Sequence, residues 1–258
     1  MTNPSKKRFF IRPEDVRGEW VYLRGQEYHH AVRVLRISLE DILNLMDGEG
    51  CFYRVRVINI SHDEVQCLIL KRNSEQKEEK HQLSLAIALP KEKVMSFLME
   101  KSVEMGIVNI IPFISERSQR TSDKAYLSKR FERWQKIIQG AGKQSGNFFI
   151  SKLEKTMTFQ DFASFLRESE YDKKVLLSPW AKSSFATFDS EMRSAKGHKR
   201  TLVLIGPEGG FTESEEKKLE DSGAQSYSCG TLLMKVETAM LFVATANHLW
   251  NMKDEKFS

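Results

Sequence analysis

Between residues 202 and 216 the chain reads LVLIGPEGGFTESEE. A continuous apolar run is what a strand buried on both faces requires. Three glycines and a proline within five residues, Gly206 to Gly210, then fix an unusual backbone path and let a ligand approach main-chain atoms. Thr212, followed three residues later by Glu215, is a capping box and starts a helix. Strand, tight loop and helix form the repeating unit of a parallel sheet covered by helices, and such sheets bind ligands beyond the carboxyl ends of their strands. The spacing is neither GxGxxG nor GxxxxGK[ST], which argues against a nicotinamide-dependent oxidoreductase and a P-loop nucleotide site.

The same rhythm holds from residue 83 onward. LSLAIAL at 83–89 reads as a buried strand. A helix follows with Val94, Phe97, Leu98 and Lys101 on one face and Gly106 at its end. Strands are expected at 108–114, 174–177 and 201–205, and helices at 126–143, 159–167 and 212–221. The final helix, 235–250, is apolar nearly all round, which suits burial or an interface. Two more strand ends face the same way as the glycine loop: VLLSPWA at 175–181 and SCGTLLMKVETA at 228–239.

The first seventy residues have a different texture. Short apolar runs recur at 9–11, 20–23, 42–46, 52–60 and 65–70, and FYRVRVINI alternates apolar and charged side chains. Asp47-Gly48 is a hairpin signal. A small antiparallel barrel with one short helix at 27–36 is expected. KRNSEQKEEKHQ, residues 71–82, has no apolar residue and reads as a linker. The chain therefore divides into an α/β domain at 73–258 and a β domain at 1–72.

Charge says something about partners. The formal net charge is +5. Eight Lys/Arg against four Asp/Glu fall within residues 1–36, and eight against three within 116–143. Two separated basic zones suit a polyanion that touches both. Cys51, Cys67 and Cys229 are scattered, with no CxxC pair and no zinc-ligand spacing, so no metal and no disulfide framework is expected. No run approaches the length of a membrane helix, and the N-terminus lacks an apolar signal core, so a cytoplasmic location and no membrane partner are expected.

With these elements placed, the residues resemble a family. IGPEGGF before a helix and ETA at the start of the last helix resemble the bacterial small-subunit (16S) ribosomal RNA uridine-N3 methyltransferases of the SPOUT superfamily. So do ALPKEKVMSFLMEKSVEMGIVNIIPFISERS at 88–118, RWQKII at 133–138, QSG at 144–146, RFFI at 8–11, HAVRVLR at 30–36 and DGEG at 47–50.

The resemblance implies a PUA-like RNA-binding barrel followed by an α/β domain with a mainly parallel sheet and a deep trefoil knot, acting as a homodimer. It implies S-adenosylmethionine held by three loops: Leu177, Ser178 and Pro179; Ile205, Gly206, Pro207, Glu208, Gly209 and Gly210; and Cys229, Gly230, Leu232, Leu233 and Met234. Lys235 and Glu237, on the third loop, are the candidates for handling the uracil N3 proton. Arg8, Arg12, Arg33, Arg36, Arg117 and Gln144 are the candidate RNA contacts, the partner being ribosomal RNA or the assembled small subunit. The sequence departs from the family pattern at Leu232 and Lys235, where arginines are usual, at Glu40, where a turn glycine is usual, and at Lys143 and Asn147. Two rival readings are a SPOUT enzyme acting on another RNA, such as transfer RNA, and a non-catalytic RNA-binding ribosome assembly factor.

Overall fold

The computed structural model describes residues 8–74, 81–118, 123–197 and 199–252. Of the two basic zones, Lys6, Lys7 and Arg120 lie outside this range, as does 75–80, the middle of the expected linker. Two compact units emerge: residues 1–77 together with 139–150, and residues 78–138 together with 151–258.

The first unit holds β1 (Arg8–Phe10), β2 (Val16–Arg17), β3 (Trp20–Arg24), α1 (Gly25–His29), β4 (Ile42–Met46), β5 (Cys51–Ile60) and β6 (Glu64–Ser74). The sheet order is β1-β4-β5-β6-β3-β2. All neighbours are antiparallel except β1 and β4, which run parallel. The alternation read from FYRVRVINI is realised: Tyr53, Val55 and Val57 are buried while Arg54 is exposed. Phe9, Val21, Leu23, Leu43, Leu45, Val65 and Cys67 complete the core. The helix expected at 27–36 is two pieces, since α1 passes into a π-helical turn at His30–Val34. Arg36 and Glu40 follow at φ 52° and 69°, a region that side-chain-bearing residues avoid. Both described ends of the expected linker are strand: 71–74 extends β6, and His81-Gln82 begins a strand of the second unit, His81–Ala88. Their backbones are recruited by pairing to β5 and to the strand at Lys199–Ile205, which a pattern of polar side chains does not forbid.

Residues 139–150 belong to this unit for a steric reason. A Cβ on Gly142 would lie 2.7 Å from Ile150 Cγ2 and 3.1 Å from Phe10 Cζ. The absence of side chains at Gly142 and Gly48 lets Ile150 pack there, and the Ile150 amide donates to the Gly48 carbonyl.

The second unit holds β7 (His81–Ala88), α2 (Glu92–Glu104), β8 (Asn109–Ile114), most of α3 (Lys124–Ser145), β9 (Lys152–Leu153), β10 (Met157–Thr158) and α4 (Phe159–Glu168). It continues through β11 (Lys173–Leu177), α5 (Phe185–Ser194), β12 (Lys199–Ile205), α6 (Glu213–Asp221), β13 (Gln225–Tyr227) and α7 (Val236–Asn251). Its sheet runs β10-β8-β7-β12-β11-β13, every pair parallel, with β9 also on β8. The expected α/β architecture is thus present. Pattern reading missed α5 and β13: β13 is too short for periodicity, and polar residues interrupt the helical repeat of FATFDSEMRS. On α2 the buried face is Met95, Leu98, Met99, Ser102 and Val103; of the expected face of Val94, Phe97, Leu98 and Lys101, only Leu98 is fully buried. The final helix buries Val236, Ala239, Met240, Val243, Ala244, Asn247 and Trp250 along one stripe, and leaves Phe242 36% and Leu249 46% exposed.

Candidate active site

The loops after β11, β12 and β13 converge, as the carboxyl ends of neighbouring parallel strands must. They line a cavity of about 530 Å³, within the range of small-molecule sites. From the first loop come Leu177, Ser178 and Pro179; from the second, Ile205, Gly206, Pro207, Glu208 and Gly210; from the third, Cys229, Gly230, Leu232, Leu233 and Met234. Lys235 and Glu237 line it too. Gly209 does not: a Cβ there would face the Arg117 stem at 3.4 Å. Lys91 and Val94 at the start of α2, with Phe211, Glu216, Val236 and Ala239, complete the wall. Lys91 and Val94 reach it only through the packing of α2, which no local motif announces.

The glycine loop is held at three points. Phe211 anchors its end, its ring lying parallel to Phe113, which in turn stacks on Phe162 at 4.0 Å. Arg117 Nη1 donates to the Gly209 carbonyl at 2.8 Å and to the Phe211 carbonyl at 3.4 Å. Glu208 Oε1 accepts the Lys91 amide at 3.1 Å and so caps the start of α2. Buried Glu215 closes the capping box read from the sequence and also accepts the Glu116 amide at 2.8 Å, which positions the segment carrying Arg117. Arg117, expected as an RNA contact, is thus hydrogen-bonded to the backbone of the loop.

Two lining positions are glycines in the left-handed region with open space beside them. Gly210 (φ 67°) and Gly230 (φ 117°) have no atom within 4 Å of where a Cβ would stand, and both line the cavity. The wall is otherwise mostly apolar. Ser178 adds a polar brace: the hydroxyl donates to Glu216 Oε2 at 3.0 Å and accepts the Trp180 amide at 3.2 Å. Burial pushes the Glu216 carboxyl above its usual range against the opposing Ser178 hydrogen bond, with Glu220 adding repulsion. Burial also raises the Cys229 thiol to about 11, which keeps it protonated and unsuited to nucleophilic work. Lys235 is the exposed N-cap residue of α7, and Glu237 is half-buried in its first turn.

On the β unit, Arg33 and Arg36 are exposed, as are Gln144 and Arg12, whose guanidinium lies 3.5 Å from Glu14. Arg8, also expected as an RNA contact, has an internal partner. It is half-buried, donates to the Lys143 carbonyl at 3.0 Å, and fills the space a Cβ on Gly146 would need. Lys143 in turn pairs with Glu27.

Residues 77–248 match the family described as "RNA methyltransferase domain", and residues 23–70 match "RNA methyltransferase PUA domain". The chain belongs to the RNA methyltransferase family. Among its relatives is the "Ribosomal RNA small subunit methyltransferase E" of Bacillus subtilis (strain 168), 28% identical over 87% of this RNA methyltransferase and 88% of the relative. The protein of the same description from Mesomycoplasma hyopneumoniae (strain 232) is 28% identical over 92% of this chain and 97% of its own. Among solved structures, the Ribosomal RNA small subunit methyltransferase E from Neisseria gonorrhoeae bound to S-adenosyl methionine superposes with a TM-score of 0.78 at 26% identity. It covers 95% of this methyltransferase and 98% of that chain. The PUA-like sheet and the parallel-sheet domain expected from the sequence are thus those of the family.

Proposed function

We propose that this chain transfers the methyl group of S-adenosylmethionine to N3 of a uridine in small-subunit ribosomal RNA. The observation that carries the reading is the three-loop cavity, lined in part by Gly210 and Gly230, at the carboxyl ends of β11, β12 and β13 in a member of the RNA methyltransferase family. Its apolar walls and main-chain-rich loops fit that cofactor, whose sulfonium supplies an electrophilic methyl group. Leu177 to Pro179, Ile205 to Gly210 and Cys229 to Met234 would hold it, with Gly209 acting through the loop rather than as wall. The relatives' description as small-subunit ribosomal RNA methyltransferases and the cofactor-bound Neisseria gonorrhoeae structure support substrate and cofactor together.

Neutral uracil N3 carries a proton and no free lone pair, so the chain must remove that proton as well as orient the base. Glu237, half-buried at the cavity edge, is the candidate acceptor. Lys235 beside it is placed to stabilise the developing uracil anion. Glu208 is committed to capping α2. In this reading residues 1–72 supply RNA affinity and residues 73–258 the chemistry, the latter with the trefoil knot and as a homodimer. The exposed Phe242 and Leu249 on α7 and Leu232 and Leu233 on the third loop suit a subunit contact. Mapping N3-methyluridine in ribosomal RNA from cells with and without this protein tests the reading. Loss of one such site without the protein is expected; an unchanged map overturns it.

A further inference from the structure

We propose that the outer face of β4, β5 and β6 is a second RNA-contacting surface, a groove that takes a single-stranded segment by its phosphates and one base. The inference rests on the RNA methyltransferase reading. Asn44, Arg54 and Lys71 are direct cross-strand neighbours in one row, and Phe52 pairs with Asn73 in the next. With Ile42 they line a groove of about 370 Å³.

This composition comes from a register shift. Val55 pairs with Ile69, so an unbroken ladder would set Leu70 opposite Arg54; instead Arg54 pairs with Lys71 across a bulge. Because side chains alternate faces, the extra residue flips everything beyond it. Lys71 and Asn73 come to the groove face. Arg72 goes to the other, where its guanidinium lies over Tyr53. The bulge thus places two exposed cations side by side. Like charges in a cross-strand pair are destabilising. Neither Arg54 nor Lys71 has a carboxylate within ion-pair distance among the described residues. A phosphodiester between them offsets that repulsion. Phe52, half-buried and tilted against Phe148 at 5.3 Å, leaves a ring at the groove for one base, and the Asn73 amide can meet a base edge. Cations, amides and an aromatic ring on one sheet face are the equipment for single-stranded RNA.

The test uses the full-length protein and a fluorescein-labelled, mixed-sequence single-stranded ribo-oligonucleotide, with affinity measured across a salt series. Arg54→Ala with Lys71→Ala should lower the slope of log affinity against log salt by roughly 0.7 to 1.4, the worth of one or two single-strand phosphate contacts. Phe52→Leu should weaken binding at every salt with the slope unchanged, and S-adenosylmethionine affinity should stay at wild type in both variants. A double variant that binds with the wild-type slope overturns the inference. So does one whose defect is a changed sedimentation coefficient, which would assign the face to a second copy. If the wild type itself binds no RNA and methylates none, the RNA methyltransferase reading fails first, and that result is distinguishable from the others.

Discussion

Glu40 holds φ 69°, a left-handed conformation that costs a side-chain-bearing residue about 1 kcal/mol or more. Its ion pair with Arg56, at 3.6 Å between exposed groups, returns little. Glu40→Gly removes the strain and raises unfolded-state entropy, so a net gain of about 0.5 kcal/mol is expected. A urea midpoint at or below wild type would count against it. Gly210 and Gly209 make a second residue-scale contrast. Gly210→Val strains a positive φ and adds bulk at a position that lines the cavity, so S-adenosylmethionine affinity should fall at least about tenfold. Gly209→Ala meets only the Arg117 stem at 3.4 Å and should leave affinity within about twofold, as calorimetry on the pair would read. The Glu216 carboxyl gives a pH signature. Its folded pKa is raised, so the native state holds a proton that the unfolded chain releases. Stability from this group is full below the ordinary glutamate pKa and is lost as pH rises from there through the raised folded value. Glu216→Gln should flatten that part of the stability–pH curve; an unchanged curve would remove Glu216 as the cause.

At the scale of elements, the structure turns on what holds loops and helices rather than on the strands themselves. Arg117 bonds two carbonyls of the glycine loop from outside the cavity. Arg117→Ala should loosen the loop and weaken cofactor binding by about fivefold, roughly 1 kcal/mol for a partly exposed charged hydrogen bond. The salt slope of RNA binding should not change; a flattened slope with intact cofactor affinity would return Arg117 to the RNA surface. Helices α5 and α7 are joined through Asp189, which accepts from Trp250 Nε1 and Arg193 Nε, each at 2.8 Å. Burial raises the Asp189 pKa, yet these hydrogen bonds outweigh it and leave the carboxyl below its usual range. Its stabilising effect is present above the ordinary aspartate pKa and is lost as pH falls through the lowered folded value. Asp189→Asn should therefore lower the melting temperature at pH 7 and narrow the gap to wild type under acid.

For the molecule as a whole, length, charge and rhythm made two units expected, and the cavity belongs wholly to the second of them. Replacing Arg33 and Arg36 by Ala should flatten the salt slope of RNA binding while calorimetric affinity for S-adenosylmethionine stays at wild type. Arg8→Ala should act differently, lowering stability, because its guanidinium is spent on the Lys143 carbonyl and the space beneath Gly146. Sedimentation at micromolar concentration is expected to give a dimer, and a monomer there would remove the subunit contact proposed for α7.

What the sequence determined by itself was whatever depends on near neighbours in the chain. The apolar runs of β7 and β12, the capping box at Thr212 and Glu215, and the helix-ending glycine at Gly106 act over a few residues, so pattern alone carried them. The three strand-end loops were legible for a different reason: parallel strands bring their carboxyl ends together wherever they fall in the chain. Only the tertiary structure decided which partner each long side chain meets. Arg117 reaches Gly209, Glu208 reaches the amide of Lys91, and Arg8 lies under Gly146. In each pair the two groups are separated by tens of residues or more, and a guanidinium or carboxylate looks alike in sequence whether it faces solvent, ligand or backbone. The bulge at Leu70 belongs to this class as well. It depends on how β5 and β6 pair, and that pairing, not the composition of either strand, sets which cations share a face.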